Sequence, residues 1–359
     1  MARTGSRKDE SAEHVGSSRA PSWMSSKRSI EASPWADAPS FIARSRHVPC
    51  RAGRHAPSRC APEIAMVDSS NTSTTRQRFR LLGGAELSFL TAGEPSKPAV
   101  LLLHGTPNSA LLFRGLAPAL AQAAYVIAPD LPGHGESDVL PQVSFAAIGQ
   151  AISELLDGLK VGPRFIYLHD WGAPVGLHVA MEAPDQVLGL IVQNANAHRT
   201  GWGPGWAATQ AYWSHPNREN EALATAHLTL DGTRDTYISG VPADVAERIR
   251  PEQWEEDWRV MNLPGHMDTQ RALIKDYGNY ATRFDAIAQY LERWQPPALM
   301  VWGRHDIYFD LAEVLSWMQA LPRMEAHVLD AGHLLLETHA ATAAALMLDF
   351  IKGTASARA

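Results

Sequence analysis

The stretch Phe165-Ile166-Tyr167-Leu168-His169-Asp170-Trp171-Gly172-Ala173-Pro174-Val175-Gly176 decides how this chain is read. An apolar, β-favouring run ends at Asp170, and small residues that suit the first turn of a helix follow at once. A strand that turns directly into a helix leaves its corner residue at the sheet edge, in a constrained backbone conformation. Gly172 and Ala173 keep side-chain bulk away from that corner. Read in isolation, Asp170 is a cap for the helix that follows. Read with the rest of the chain, it is a nucleophile.

The flanking sequence supplies the frame. Residues 99–103 (AVLLL) form a continuous apolar run of strand length, as expected for a strand buried on both faces, and end in His104-Gly105-Thr106-Pro107. Residues 111–121 have helical spacing, 125–128 are a short strand, and 145–159 are an amphipathic helix. A further strand spans 187–192, and upstream Gly83-Gly84 joins 78–82 to 86–91 as a hairpin. The pattern resumes at 297–302 (PALMVW), with a helix at 311–321, a last strand at 325–329 and a closing helix to about residue 351. Steady strand–helix alternation predicts an α/β fold: a mostly parallel central sheet flanked by helices. Functional residues of such sheets sit at the carboxyl ends of strands, where His104, Asp130, Asp170 and Asn194 all fall. Between 196 and about 290 the alternation stops in favour of helical, charged and Trp-rich sequence, which reads as an inserted helical cap. The expected domains are therefore an N-terminal extension (1–70), a core (71–195 and 296–353) and a cap (196–295).

Composition narrows the classes. Of the 359 residues 45% are apolar, no apolar run approaches the eighteen that a membrane helix needs, and the formal charge is −6. Residues 1–65 carry 11 Lys and Arg against 6 acids, while the remainder carries 21 against 32. That leader is rich in Ser, Arg, Ala and Pro without apolar period, the signature of a disordered segment. A targeting segment, or a start at Met66, are the alternatives. An acidic body offers no surface for tracking phosphates, so a nucleic-acid partner is not expected. Both cysteines, Cys50 and Cys60, lie in the leader; the folded part has no disulfide framework, which suits a reducing, cytoplasmic setting. The fifteen histidines include no clustered metal-ligand spacing, so neither metal nor other cofactor is expected. Nothing in the sequence fixes an oligomeric state.

The chemistry-bearing residues have a telling order: Asp170 after a middle strand, Asp306 after a later one, His333 after the last. Nucleophile, acid, histidine is the chain order of a hydrolase triad. With HGTP at 104–107, PDLPGHGESD at 129–138, HDWG at 169–172, WGRHD at 302–306 and AGH at 331–333, the chain resembles the Asp-nucleophile branch of the α/β-hydrolase family over roughly residues 78–352. That branch includes haloalkane dehalogenases and epoxide hydrolases. A carboxylate is charged at neutral pH and attacks saturated carbon without prior activation. The resemblance implies that Asp170 forms an alkyl-enzyme ester, that His333 activates water against it, and that Asp306 orients the imidazole. Backbone N–H groups of Thr106 and Trp171 would stabilise the oxyanion. Asp306 competes with Asp310 for the acid role. The alternative acid position after the preceding strand holds only Asn194 and Asn196. Leu168, two before the nucleophile, departs from the Gly of serine hydrolases.

The expected reaction is haloalkane dehalogenase-like hydrolysis of a small organic substrate, with epoxide opening the alternative and a non-catalytic small-molecule binder a further one. Halide binding needs N–H donors, from Trp171 and a cap tryptophan such as Trp202 or Trp206, because Thr106 replaces the Asn of some relatives. Epoxide opening needs a proton donor, for which relatives use cap tyrosines; Tyr212, Tyr237, Tyr277 and Tyr280 are available here. The candidate substrate contacts in the cap are thus Tyr237, Tyr277, Tyr280 and Trp202.

Overall fold

The apolar runs become strands because each buries alternate side chains on opposite faces of one sheet. The computed structural model describes residues 73–358; the expectations for the N-terminal extension lie outside them. The strands are β1 (Thr75–Arg80), β2 (Glu86–Ala92), β3 (Ala99–Leu103), β4 (Tyr125–Pro129), β5 (Arg164–His169), β6 (Val187–Gln193), β7 (Ala298–Gly303) and β8 (Glu325–Leu329). They pair in the order β1-β2-β4-β3-β5-β6-β7-β8. β1–β2 and β2–β4 are antiparallel, and every other pair is parallel.

The helices are α1 (Ala117–Leu120), α2 (Phe145–Gly158), α3 (Gly172–Glu182), α4 (Ala207–Ser214), α5 (Arg218–Ala224), α6 (Leu230–Ile238), α7 (Ala243–Ala246), α8 (Pro251–Met261), α9 (His266–Ala281), α10 (Phe284–Trp294), α11 (Ala312–Ala320) and α12 (Leu336–Arg358), the last kinked at His339. The helical spacing at 111–121 resolves into a short 3-10 turn, Ala110–Gly115, and α1, because Pro118 re-starts the helix. None of the described helices is long and apolar enough to cross a membrane.

Strand periodicity sorts the core into two layers. Leu101, Leu103, Ile166, Leu168, Leu190 and Met300 face a cluster containing Ile148 and Ile152 of α2, Val175 and Val179 of α3, and Ile287 and Leu291 of α10. Val100, Leu102, Phe165, Tyr167, Ile191 and Val301 face the other cluster, with Ala343, Met347 and Ile351 of α12. All of these side chains are shielded from solvent, so the sheet centre is a dry platform whose strand ends alone meet water. Seven helices, α4–α10, are inserted between β6 and β7. α10 packs on the α3 and α11 side of the sheet, so it belongs to the core layer rather than to the cap that the sequence suggested up to residue 295. The amphipathic, core-facing stripe Phe284, Ile287, Leu291 is the physical reason.

Candidate active site

Three strand ends converge. At the β5–α3 corner Asp170 has φ +48°, the left-handed region that costs a non-glycine residue energy and persists only where the surroundings enforce it. Two glycines make the corner possible. A Cβ on Gly105 would lie 2.1 Å from Asp170 Oδ1, and one on Gly172 would lie 2.4 Å from the Leu103 carbonyl. The Asp170 carboxylate does not cap α3, which has no side-chain cap. It turns to the core instead, where the Thr106 N–H donates to Oδ1 at 2.9 Å and the Trp171 N–H also hydrogen-bonds it.

His333, in the loop after β8, places Nε2 3.8 Å from Asp170 Oδ2, and its Nδ1 is 2.9 Å from Asp306 Oδ2. Asp306 is held in turn by the Asn194 side-chain amide (2.8 Å to Oδ2) and the Tyr308 N–H (2.7 Å to Oδ1). Asn194 also donates to the Gly303 carbonyl and accepts its N–H, pinning the end of β6 to the end of β7. The sequence placed Asn194 at a functional strand end but gave it no role, since a neutral side chain cannot be the acid; its amide holds the acid instead. Asp310 accepts the Ala312 N–H at the start of α11 and serves that helix.

Electrostatics set the proton positions. Burial alone would push His333 down, but the charges of Asp306 and Asp170 and the Asp306 hydrogen bond outweigh it, so its pKa is raised. Burial also raises that of Asp170, opposed by His333 and by the two N–H donors. Loss of the Asp170 charge would remove one of the interactions that raise the His333 pKa.

A cavity of about 210 Å³ opens over these groups. Its floor is Thr106, Pro107, Asp170, Trp171, Ile307, Tyr308 and His333. The inserted segment roofs it with Trp206, Thr209, His227, Leu228, Thr233, Thr236, Met261 and Ile274. Among the described residues no Lys or Arg lines it, so an anionic substrate would meet no permanent counter-charge there.

The four cap candidates lie elsewhere, a correction to the sequence reading. Tyr277 donates to Asn196 Oδ1 and Tyr280 to the Asn196 carbonyl, both at 2.6 Å; Tyr237 donates to Asp257. Trp202 packs edge-on against Trp206, Trp213 and Tyr277 and at a tilt against Phe284. None of the four is among the lining residues, because each fastens inserted helices to one another or to the core. Trp206 does line the cavity, but its indole N–H is enclosed and has no partner. The one lining tyrosine is Tyr308, two residues after Asp306. Its hydroxyl reaches only Thr236 Oγ1, at 3.4 Å, and its ring lies edge-on to His333 at 5.2 Å. Tyr308 was missed as a site residue, as was Gln270, whose side chain accepts from the Thr106 hydroxyl; proximity to Asp306 in sequence was the one available signal for Tyr308.

The sequence matches the family model of the alpha/beta hydrolase fold over residues 98–340. It is 31% identical over 280 residues to an uncharacterized hydrolase of Saccharomyces cerevisiae, covering 75% of this chain and 94% of the yeast protein. It is 31% identical over 248 residues to a haloalkane dehalogenase of Mycobacterium marinum, covering 67% of this chain and 76% of that enzyme. To epoxide hydrolase 3 of Mus musculus it is 24% identical over 281 residues, 71% of either chain.

Proposed function

Because the chain belongs to the α/β-hydrolase family and is a hydrolase, we propose that it works through a covalent ester on Asp170. The observation that carries this reading is the Asp170–His333–Asp306 line at the floor of the cavity. Oδ1 is held by the Thr106 N–H, so Oδ2, on the His333 side, attacks the substrate carbon. The bond from that carbon to its leaving atom breaks and the leaving atom takes the electron pair. Water then gives a proton to His333 Nε2 and adds to the carboxyl carbon of the ester. The carbonyl pair shifts onto Oδ1, facing the Thr106 and Trp171 N–H groups. Collapse expels the product oxygen, which takes the proton from the imidazolium. Asp170, left as a carboxylic acid, releases its proton to solvent or to the base formed from the leaving group and regains its charge. The ester has no negative charge, so His333 yields its proton more readily at the step where a base is needed.

The cavity chemistry favours a neutral substrate with an apolar body and an oxygen leaving group, as in an epoxide. Tyr308 is a phenol in the cavity wall whose hydroxyl makes only a long, 3.4 Å contact with Thr236 and could turn to neutralise a developing alkoxide, and burial raises its pKa so that it stays protonated. Dehalogenation is the second reading. It draws on the Mycobacterium marinum relative and on Trp171 in the wall, but Trp206 aims no accessible N–H into the cavity.

The test is direct. His333→Gln, incubated with styrene oxide or 1-bromohexane, is expected to gain the mass of the substrate on Asp170; an unmodified Asp170 with a probe that wild type turns over sinks the ester. Tyr308→Phe is expected to slow diol formation about 100-fold, the scale of a lost general acid, and to leave bromide release intact.

A further inference from the structure

The Thr106 turn is tied from above by an inserted helix. The Thr106 hydroxyl donates to Gln270 Oε1 at 2.6 Å, and Gln270 Nε2 lies 2.9 Å from His134 Nε2. The other His134 nitrogen, Nδ1, lies 3.2 Å from the Pro132 carbonyl. Gln270 sits on α9, and the next residue back, Thr269, packs on the Pro132-Gly133 turn: a Cβ on Gly133 would lie 2.5 Å from Thr269 Oγ1. Gln270 and Thr269 are both 1% exposed. The chain therefore joins α9 to the turn after β3 and to the loop after β4.

Its hydrogen bonds run one way. A carbonyl can only accept, so His134 Nδ1 carries the proton; burial drives the His134 pKa down to about 3, leaving Nε2 a bare acceptor. Gln270 must then offer its NH₂ to His134 and its oxygen to Thr106. The Thr106 hydroxyl, its proton committed, is locked in one orientation. The residue's backbone N–H faces Asp170 Oδ1.

We infer that Gln270 is a positioning residue: through the Thr106 hydroxyl it holds the Thr106 N–H against Asp170 Oδ1. The consequence rests on the ester reading above, and it is asymmetric between the two half-reactions. Alkylation turns Oδ1 from a shared carboxylate charge into a neutral carbonyl, so the N–H bond weakens as that step proceeds. Ester hydrolysis puts charge back on Oδ1, so the N–H bond strengthens toward that transition state. An N–H that is badly aimed should slow hydrolysis and leave alkylation unharmed. Loosened packing of α9 has no reason to discriminate between them.

Two measurements decide it. The Thr106 amide proton, followed by NMR in the full chain without substrate, is expected to move upfield in Gln270→Leu as its bond to Asp170 lengthens. An unmoved resonance in a folded variant overturns the inference, whatever the substrate is. In rapid-quench mass spectrometry with styrene oxide or 1-bromohexane, Gln270→Leu and Thr106→Val are each expected to accumulate the Asp170 ester. The expected slowing of hydrolysis is about 10-fold, less than the 10²–10³ typical of a deleted donor. The double variant should be no slower than either single one, and Thr106→Ser, which keeps the hydroxyl, should recover most of the hydrolysis rate that Thr106→Val loses. Additive losses, or alkylation falling in step with hydrolysis, overturn it. Where wild type turns over a probe and Asp170 is alkylated neither in wild type nor in His333→Gln, it is the ester reading that fails, and the amide resonance alone decides the positioning role.

Discussion

At the scale of single residues the site depends on atoms that are missing as much as on those present. Gly105 leaves room: a Cβ there would lie 2.1 Å from Asp170 Oδ1. Gly105→Ala is therefore expected to keep the fold by circular dichroism while kcat/KM drops about 100-fold, the cost of moving a reacting group by roughly 1 Å. Charge gives a second prediction. His333 acts as a base only when neutral, and Asp306 is the chief group holding its proton on. Activity should rise with pH through a limb above the usual histidine value. In Asp306→Asn that limb should move to lower pH, with a reduced plateau because the imidazole loses its orienting partner. A limb that stays in place in the variant would remove Asp306 from the electrostatics of the base.

These residues were unequally legible before the structure. Asp170, Asp306 and His333 could be read because each follows an apolar strand run, and a parallel sheet gathers strand ends at one edge. Tyr308 escaped because a proton donor was expected from the cap tyrosines, whereas the tyrosine that lines the cavity comes from the exit of β7. The roles of Asn194 and Gln270 depend on partners 112 and 164 residues away, Asp306 and Thr106. No local pattern encodes such pairings. For the same reason Tyr237, Tyr277 and Tyr280 looked available, although their hydroxyls are spent on Asp257 and Asn196.

At the scale of elements, the inserted helices are fastened to the core by polar bolts, and one of these titrates. Asp257 of α8 is buried against Tyr237 of α6 and Asn108, which follows the Thr106-Pro107 turn; Asn108 Nδ2 donates to Asp257 at 2.7 Å and to the Tyr237 hydroxyl at 3.0 Å. Burial raises the Asp257 carboxyl to about 7, against the opposing hydrogen bonds of Tyr237 and Asn108; Glu337 adds to the rise and Arg114 opposes it. An acid with a raised folded pKa binds its proton more tightly folded than unfolded. Its contribution is thus complete below the unfolded value near 3.8 and drains away as pH climbs to about 7. Asp257→Asn cannot ionise, so its melting temperature should be flatter than that of wild type across this window. Between pH 4.5 and 8, relative to the variant, wild type should lose at least ~2 °C, the scale of 1 kcal/mol in a domain of this size. Parallel curves would show that the carboxyl stays neutral or is already solvated.

At the scale of the whole molecule, burial is distributed unevenly, and that inequality predicts where the chain opens. The central strands β3 and β5 are buried at every position, with apolar clusters on both faces, so their amides can exchange only when the sheet itself comes apart. The roof differs. Of the seven residues in α5 only Ala224 is buried, and of the nine in α6 only Thr233 and Tyr237. Yet this part of the chain supplies His227, Leu228, Thr233 and Thr236 to the cavity wall. A thinly buried stretch thus covers the most deeply buried one, an arrangement that would let a substrate enter without disturbing Asp170, Asp306 and His333. Hydrogen exchange should show residues 218–238 losing protection at least ~10-fold sooner than 99–103 and 164–169. In the His333→Gln ester that difference should narrow, because a covalently held substrate packs against the roof. Uniform exchange across both regions would mean that roof and sheet open as one unit, and that substrate enters by another route.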